Sequence, residues 1–193
     1  MTKLDRLLQQ WRIRRAGQFI SRTARVLDIG CADGTLFQIL TWLQDGIGID
    51  PDLEADISKE NARLISGFFP KNLSNRDRFD TITMLAVLEH IPAAEQIILA
   101  KNCFQYLNPR GNLIVTVPSP FVDKILFALK WLRLVDGMKT EQHYGYDVNL
   151  TPELFISAGF ELTHTTKFQL GLNNLFVFTK PDSIKEAVYG LSN

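Results

Sequence analysis

The chain is poor in cysteine: Cys31 and Cys103 are the only two in 193 residues. Two thiols build no disulfide framework and match no metal-ligand spacing, so no metal site is expected. One sits in a small-residue turn and the other in an apolar helical run, which reads as free, buried thiols of a reducing compartment. Net charge is also lacking, since 21 Lys and Arg balance 21 Asp and Glu. A dedicated nucleic-acid binder carries a basic excess, so no nucleic-acid partner is expected. Long hydrophobic runs are missing as well. The most apolar stretch, Phe121 to Val135, contains Asp123, Lys130 and Arg133 and is too short and too charged to span a bilayer. The N-terminus is polar and arginine-rich, without the apolar core of a signal peptide. The expectation is a soluble, cytoplasmic protein with no integral membrane segment. Without repeats, low-complexity tracts or linkers, residues 1–193 read as one domain.

What is present is an ordinary globular composition, 46% hydrophobic and 22% charged, in a chain long enough to bury a core. Residues 3–20, within an N-terminal helical segment 1–22, read as an amphipathic helix with Leu4, Leu7, Leu8, Trp11, Arg15 and Phe19 near one face. Short apolar strands follow at Val26–Ile29, Gly46–Asp50, Ala62–Ser66, Phe79–Ala86 and Asn112–Val117, separated by turns and helical patterns. Pro92 opens a helix through Leu107, and Asn108 to Gly111 has the preferences of a type I turn. Alternation of strands and helices implies a doubly wound, mostly parallel α/β sheet. The end of the chain breaks that rhythm. The alternating segment Phe160–Leu170 is separated from the strand Leu175–Thr179 by four residues, too few for a parallel crossover. A seven-stranded Rossmann-like sheet closed by a C-terminal antiparallel hairpin is expected.

The informative segment is Val26-Leu27-Asp28-Ile29-Gly30-Cys31-Ala32-Asp33-Gly34-Thr35. A strand runs into a small-residue turn that opens a helix, where glycine lets backbone approach a ligand and helix-start amides offer donors. A plain strand-to-helix turn uses glycines too. Asp50, at the end of the next strand, is placed to accept hydrogen bonds from ribose hydroxyls, or to cap a short helix after Pro51, or both. The dinucleotide pattern GxGxxG fails, because its three positions hold Gly30, Ala32 and Thr35.

These residues resemble motif I of the class I S-adenosylmethionine-dependent methyltransferases, and Gly46-Ile47-Gly48-Ile49-Asp50 resembles their motif II. Leu85 to Ile91 is similar to the segment after the fourth strand in the ubiquinone-biosynthesis-like branch, and Leu107 to Leu113 to the turn into the fifth. The resemblance covers roughly residues 24–180. It implies S-adenosylmethionine as cofactor, with Asp28 and the backbone of Gly30, Cys31, Ala32 and Gly34 at its methionine end. Asp50 and Pro51 would meet the ribose, Leu85 and Ala86 would flank the methyl group, and Phe68 would contact adenine. Ala32 departs from the family's middle glycine, and Gly67-Phe68-Phe69 stands where an acid often faces the adenine amino group.

The implied activity is methyl transfer to a small-molecule or lipid-linked acceptor; the alternative is a non-catalytic cofactor-binding module that works through a protein partner. His90 and His143 are the candidate catalytic residues, His90 with a structural hydrogen-bonding role as its alternative. His143 lies in the substrate-side insertion expected at 119–150, whereas His164 reads as a core histidine. Phe121 to Val135 is apolar almost all round, as a helix packed over the sheet, a lid, or a surface for peripheral membrane contact would be. Arg12 or Arg15 would face solvent, an anionic partner or the cofactor carboxylate.

Overall fold

The computed structural model describes residues 3–119 and 146–182. His143 and Phe121–Val135, with most of the expected insertion, lie outside them. The elements in chain order are α1 (Lys3–Gly17), β1 (Arg25–Ile29), α2 (Thr35–Ile39), β2 (Asp45–Asp50), β3 (Ile57–Ser58), β4 (Ala62–Ser66) and β5 (Phe79–Leu85). A short 3₁₀ turn (Leu88–His90) precedes α3 (Ala93–Tyr106) and β6 (Leu107–Pro118). After a second 3₁₀ turn (Val148–Leu150) come α4 (Thr151–Ser157), β7 (Glu161–Phe168) and β8 (Asn173–Thr179).

The seven expected strands are all present. Ile57–Ser58 pairs antiparallel with β4 and brings the sheet to eight, in the order β3-β4-β2-β1-β5-β6-β8-β7. The central pairings are parallel, while β8 runs antiparallel to both β6 and β7, forming the expected hairpin. From β1 the chain winds outward through β2 to β4, then returns to pair β5 with the other side of β1. Strand order reverses between β1 and β5, and in open α/β sheets the crevice at the carboxyl ends of the strands at such a point is where ligands bind.

Strand alternation assigns side chains to two cores. Leu27, Ile29, Ile82 and Met84 face α3 and α4, packing with Leu99, Cys103 and Phe155. Val26, Ile114, Leu175 and Val177 face α1 and α2, packing with Ile13, Ala16, Leu36 and Phe37. Burying each such aliphatic or aromatic side chain contributes about 1.5–3 kcal/mol. Asp28 shares the α1 face with Val26, two residues away, so a carboxylate stands where the pattern otherwise puts a hydrocarbon. Both cysteines are free and buried.

Three local expectations change. The inward face of α1 is not the Leu7–Trp11 face: those two side chains are 57% and 47% exposed, and Ile13, Ala16 and Ile20 are buried instead. One turn N-terminal to Ile13 and Ala16, the same stripe carries Gln9 and Arg12, which line a pocket, so a polar site interrupts the apolar periodicity. No helix follows Pro51; the segment turns and bends into β3. Asn108–Gly111 does not separate α3 from the next strand but bulges within β6, whose pairing with β5 jumps from Phe79↔Leu107 to Thr81↔Asn112.

Candidate functional site

The turn after β1 is held from its neighbour strand. Gly30 N–H donates to the Ile49 carbonyl (2.9 Å) and Ala32 N–H to Asp50 Oδ2 (2.8 Å). Gly30, Ala32 and Gly34 all adopt left-handed φ values, 73°, 47° and 73°. At Gly30 a Cβ would lie 2.4 Å from Val87 Cγ2, so glycine is required for space as well as conformation. Gly34 starts α2, a helix of only five residues. Thr35 N–H is taken by Asp33 Oδ1 (3.1 Å), so the helix-start donors are partly spent within the turn.

Asp50 ends β2 with its carboxylate fixed at both oxygens: Oδ2 accepts from Ala32 and Oδ1 from Asp52 N–H (2.9 Å). It therefore ties the glycine turn to the end of β2, and each oxygen keeps a further lone pair. Asp28 is buried, and its Oδ1 accepts from Thr83 Oγ1 (2.6 Å) on the adjacent strand. Burial pushes its carboxyl up to about 7; the Thr83 hydrogen bond opposes the shift and the Asp50 charge adds to it.

Two cavities meet at Gly30. The larger, about 510 Å³, is lined by Ile49, Pro51, Gly67, Phe68, Val87 and His90 among others. Phe68 stands at its edge, 62% exposed, with its N–H held by Asn72 Oδ1 (3.0 Å). The smaller, about 40 Å³, is enclosed by Gln9, Arg12 and Ile13 of α1 with Asp28, Cys31, Leu36 and Leu85. Arg12 Nε is buried there and makes no hydrogen bond. Burial lowers the Arg12 pKa, and the charge of buried Glu89 works against that shift. Arg15 instead bonds Gln18 along the helix (2.9 Å).

The structure thus brings together Asp28, Gly30, Cys31 and Leu85 at one cavity and Gly30, Pro51, Phe68 and His90 at the other. The Cys31 thiol also packs under β2, where a Cβ on Gly48 would lie 2.7 Å away. Ala86, at φ 59°, donates its N–H to the Thr116 carbonyl (2.9 Å). His90 lies in the larger cavity, with Nε2 4.0 Å from Glu89 Oε1. Glu89 lines a separate cavity of about 440 Å³ with Tyr146 and Asp147. Sequence reasoning missed Val87, Gln9 and Leu36. The signal for Val87 was available only through its spatial opposition to Gly30; Gln9 could have been found as the polar residue four before Ile13. Among the described residues no group of three His, Cys, Asp or Glu could hold a metal ion, and no helix is long and apolar enough to cross a membrane.

A doubly wound sheet with a glycine turn, an acid ending the second strand and an antiparallel terminal hairpin defines a cofactor-binding fold of the methyltransferase type. Residues 2–165 match the methyltransferase domain family, and the chain belongs to it, as a class I S-adenosylmethionine-dependent methyltransferase. Ubiquinone biosynthesis O-methyltransferase of Azorhizobium caulinodans is 27% identical over 152 residues, 72% of this chain and 59% of that protein. The chain therefore spans less than two thirds of that relative's length. Among solved structures, magnesium protoporphyrin IX methyltransferase from Synechocystis with S-adenosylhomocysteine shares the fold at a TM-score of 0.64 and 17% identity, covering 91% of this chain and 84% of that one. The Burkholderia thailandensis 1,6-didemethyltoxoflavin-N1-methyltransferase does so at 0.67 and 17%, covering 92% and 82%.

Proposed function

We propose that this chain transfers the methyl group of S-adenosylmethionine to a small-molecule or lipid-linked acceptor, and that the paired cavities meeting at Gly30 are its cofactor cleft. The observation that carries this reading is the juxtaposition, at one end of the cleft, of a buried carboxylate and a buried guanidinium nitrogen without a partner. Asp28 and Arg12 are the complementary pair an aminocarboxylate requires. At the other end Pro51 and Phe68 offer apolar contact to a purine, and the remaining lone pairs of Asp50, next to Pro51 in the chain, are proposed to accept from ribose hydroxyls. Gly30, where the cavities meet, and Cys31 and Leu85, which line the smaller one, are proposed to pass along the cofactor, while Ala32, Gly34 and Ala86 line neither cavity and shape the turns behind them.

The cofactor supplies a methyl group already activated on a sulfonium. The protein's task is then alignment with the acceptor, which contributes about 7–11 kcal/mol to the barrier reduction. Val87 and the Gly30 backbone fix one wall of the cleft by direct packing. His90 is the proposed proton acceptor from a hydroxyl nucleophile, a role worth a factor of about 10²–10⁴. An oxygen acceptor is proposed because the curated relatives are named as O-methyltransferases.

Calorimetry with S-adenosylhomocysteine tests the reading. Wild type binds, and Asp50→Ala weakens binding at least tenfold, through loss both of the ribose contact and of the Ala32 tether. No binding by wild type, or unchanged binding by Asp50→Ala, refutes the assignment.

A further inference from the structure

Three threonines of the central strands are at most 2% exposed: Thr81 and Thr83 on β5 and Thr116 on β6. A branched side chain suits a strand, so burial alone gives none of them a task. Their hydroxyls separate them. Thr116 Oγ1 makes no hydrogen bond. Thr83 stands in register with Asp28 on β1, and its Oγ1 lies 2.6 Å from Asp28 Oδ1 and 3.4 Å from the Leu27 carbonyl. A hydroxyl has one hydrogen to give. The shorter contact takes it, at a length typical of a hydroxyl donating to an ionised carboxylate, about 2.5–2.7 Å.

Burial works against that charge. A carboxylate taken out of water stays ionised only through the donors and cations that face it. From β2 comes Asp50, whose charge opposes ionisation of Asp28. The glycine turn contributes the Cys31 thiol, which burial and the Asp28 and Asp50 charges push up and so keep neutral, with Lys59 acting on it in the opposite sense. Helix α1 contributes Gln9 and Arg12 to the same cavity, and Arg12 also feels the charge of Glu89. Thr83 supplies the donor from within the sheet itself.

We propose that Thr83 is a positioning residue of the cofactor site, whose hydroxyl keeps Asp28 ionised so that it can hold the cofactor's ammonium group near neutral pH. The proposal rests on the cofactor assignment above. Thr83 acts through Asp28 and touches no ligand. Only the ionised carboxylate is a pure acceptor, matched to an ammonium. The Asp28 carboxyl sits at about 7, where small changes in its surroundings alter its charge most. Loss of the hydroxyl raises its affinity for the proton about tenfold, the effect of one hydrogen bond to a charged group.

Calorimetric titration with S-adenosylhomocysteine, stepped from about pH 5.5 to about pH 8.5, tests the proposal. In wild type, affinity rises about tenfold through a step centred near pH 7, and Asp28→Asn abolishes the step. Thr83→Val keeps the volume of the side chain and removes the donor. Its step lies about one pH unit higher, so the variant binds about threefold more weakly than wild type between about pH 7 and 8 and nearly equally at both ends of the range. Thr83→Ser, which retains the hydroxyl, follows wild type. The ligand's own titration is common to all the proteins and cancels in these ratios. Adenosine, which has no ammonium, shows no step. The same step with adenosine belongs to another group, such as His90 of the neighbouring cavity, and overturns the proposal. A deficit in Thr83→Val of equal size at every pH marks a packing role and also overturns it, as does a serine variant that fails to restore wild-type binding. Where valine prevents folding, Thr83→Ala carries the same expectation. A wild-type profile flat across the range overturns the proposal without any variant and leaves the cofactor assignment standing, whereas absence of wild-type binding removes both.

Discussion

At one end of the cleft, Pro51, Gly67, Phe68 and Val87 frame about 510 Å³ of largely apolar space; at the other, Gln9, Arg12 and Asp28 close around about 40 Å³. The first end is built from strand termini and the loops that leave them, so its shape is fixed by the same parallel pairings that make the sheet. The second is completed by a helix from outside the β–α rhythm, attached partly through one glutamine. A sheet thus supplies a preformed half-site, and a separately held helix supplies a polar half-site that can be varied on its own. On the proposed assignment two ligands read the halves apart: adenosine is expected to occupy only the first, and S-adenosylhomocysteine to need both.

The largest effect belongs to the residue the two ends share. Gly30→Ala places a Cβ 2.4 Å from Val87 Cγ2 on a backbone at φ 73°. Strain and overpacking together cost about 2–5 kcal/mol in urea unfolding. Both ligands are lost in parallel. Wild-type stability in this variant would show that the turn does not hold residue 30 at a left-handed φ against Val87.

Asp28→Asn separates the ends and carries a pH signature. The folded carboxyl sits at about 7, raised from 3.8 by burial. Below pH 4 the group is protonated whether folded or unfolded and contributes nothing. Between about pH 4 and 7 only the unfolded chain releases the proton, so stability falls as pH rises through that window and stays reduced above it. Asparagine does not titrate. Asp28→Asn is therefore more stable than wild type at pH 8, by about 2–4 kcal/mol, and the gain vanishes near pH 4. The same variant weakens S-adenosylhomocysteine binding about tenfold and leaves adenosine binding unchanged. A stability difference that is flat from pH 4 to pH 8, measured by urea unfolding, contradicts the buried-charge account.

The same division explains what could be read from the sequence. The sheet was legible because strands buried on both faces are short, apolar and bounded by turn residues, and because four residues between 170 and 175 permit only a hairpin. The order of the glycine turn and Asp50 followed from local pattern for the same reason. The helix at the start was read with the wrong face inward, since periodicity counts apolar residues and α1 turns Gln9 and Arg12 toward the site while leaving Leu7 and Trp11 outside. The Gln169–Leu8 hydrogen bond joins residues 161 positions apart and leaves no local trace. Gly30 announced a close approach, but its partner Val87 lies on another strand's end. Asp50 accepts from Asp52 N–H as a helix N-cap would, yet the chain turns and bends into β3, so a capping signal at Asp50 did not by itself specify a helix.

Phe68→Ala is expected to have the smallest consequence and to fall on the other side of the comparison. Its ring is 62% exposed, so truncation opens no void in either core and changes stability by less than about 0.5 kcal/mol. On the proposed assignment the ring meets a purine at the cleft edge, where stacking on an aromatic face is worth about 1–3 kcal/mol when fully engaged. Half-open geometry puts the loss at the low end, about five- to tenfold in affinity. If the proposed contact is with the adenosine moiety, adenosine and S-adenosylhomocysteine lose affinity by the same factor, in contrast to Asp28→Asn. Parallel titrations of the two ligands decide the matter. A loss confined to S-adenosylhomocysteine would mean that Phe68 serves the polar end and that the cleft is not divided at Gly30.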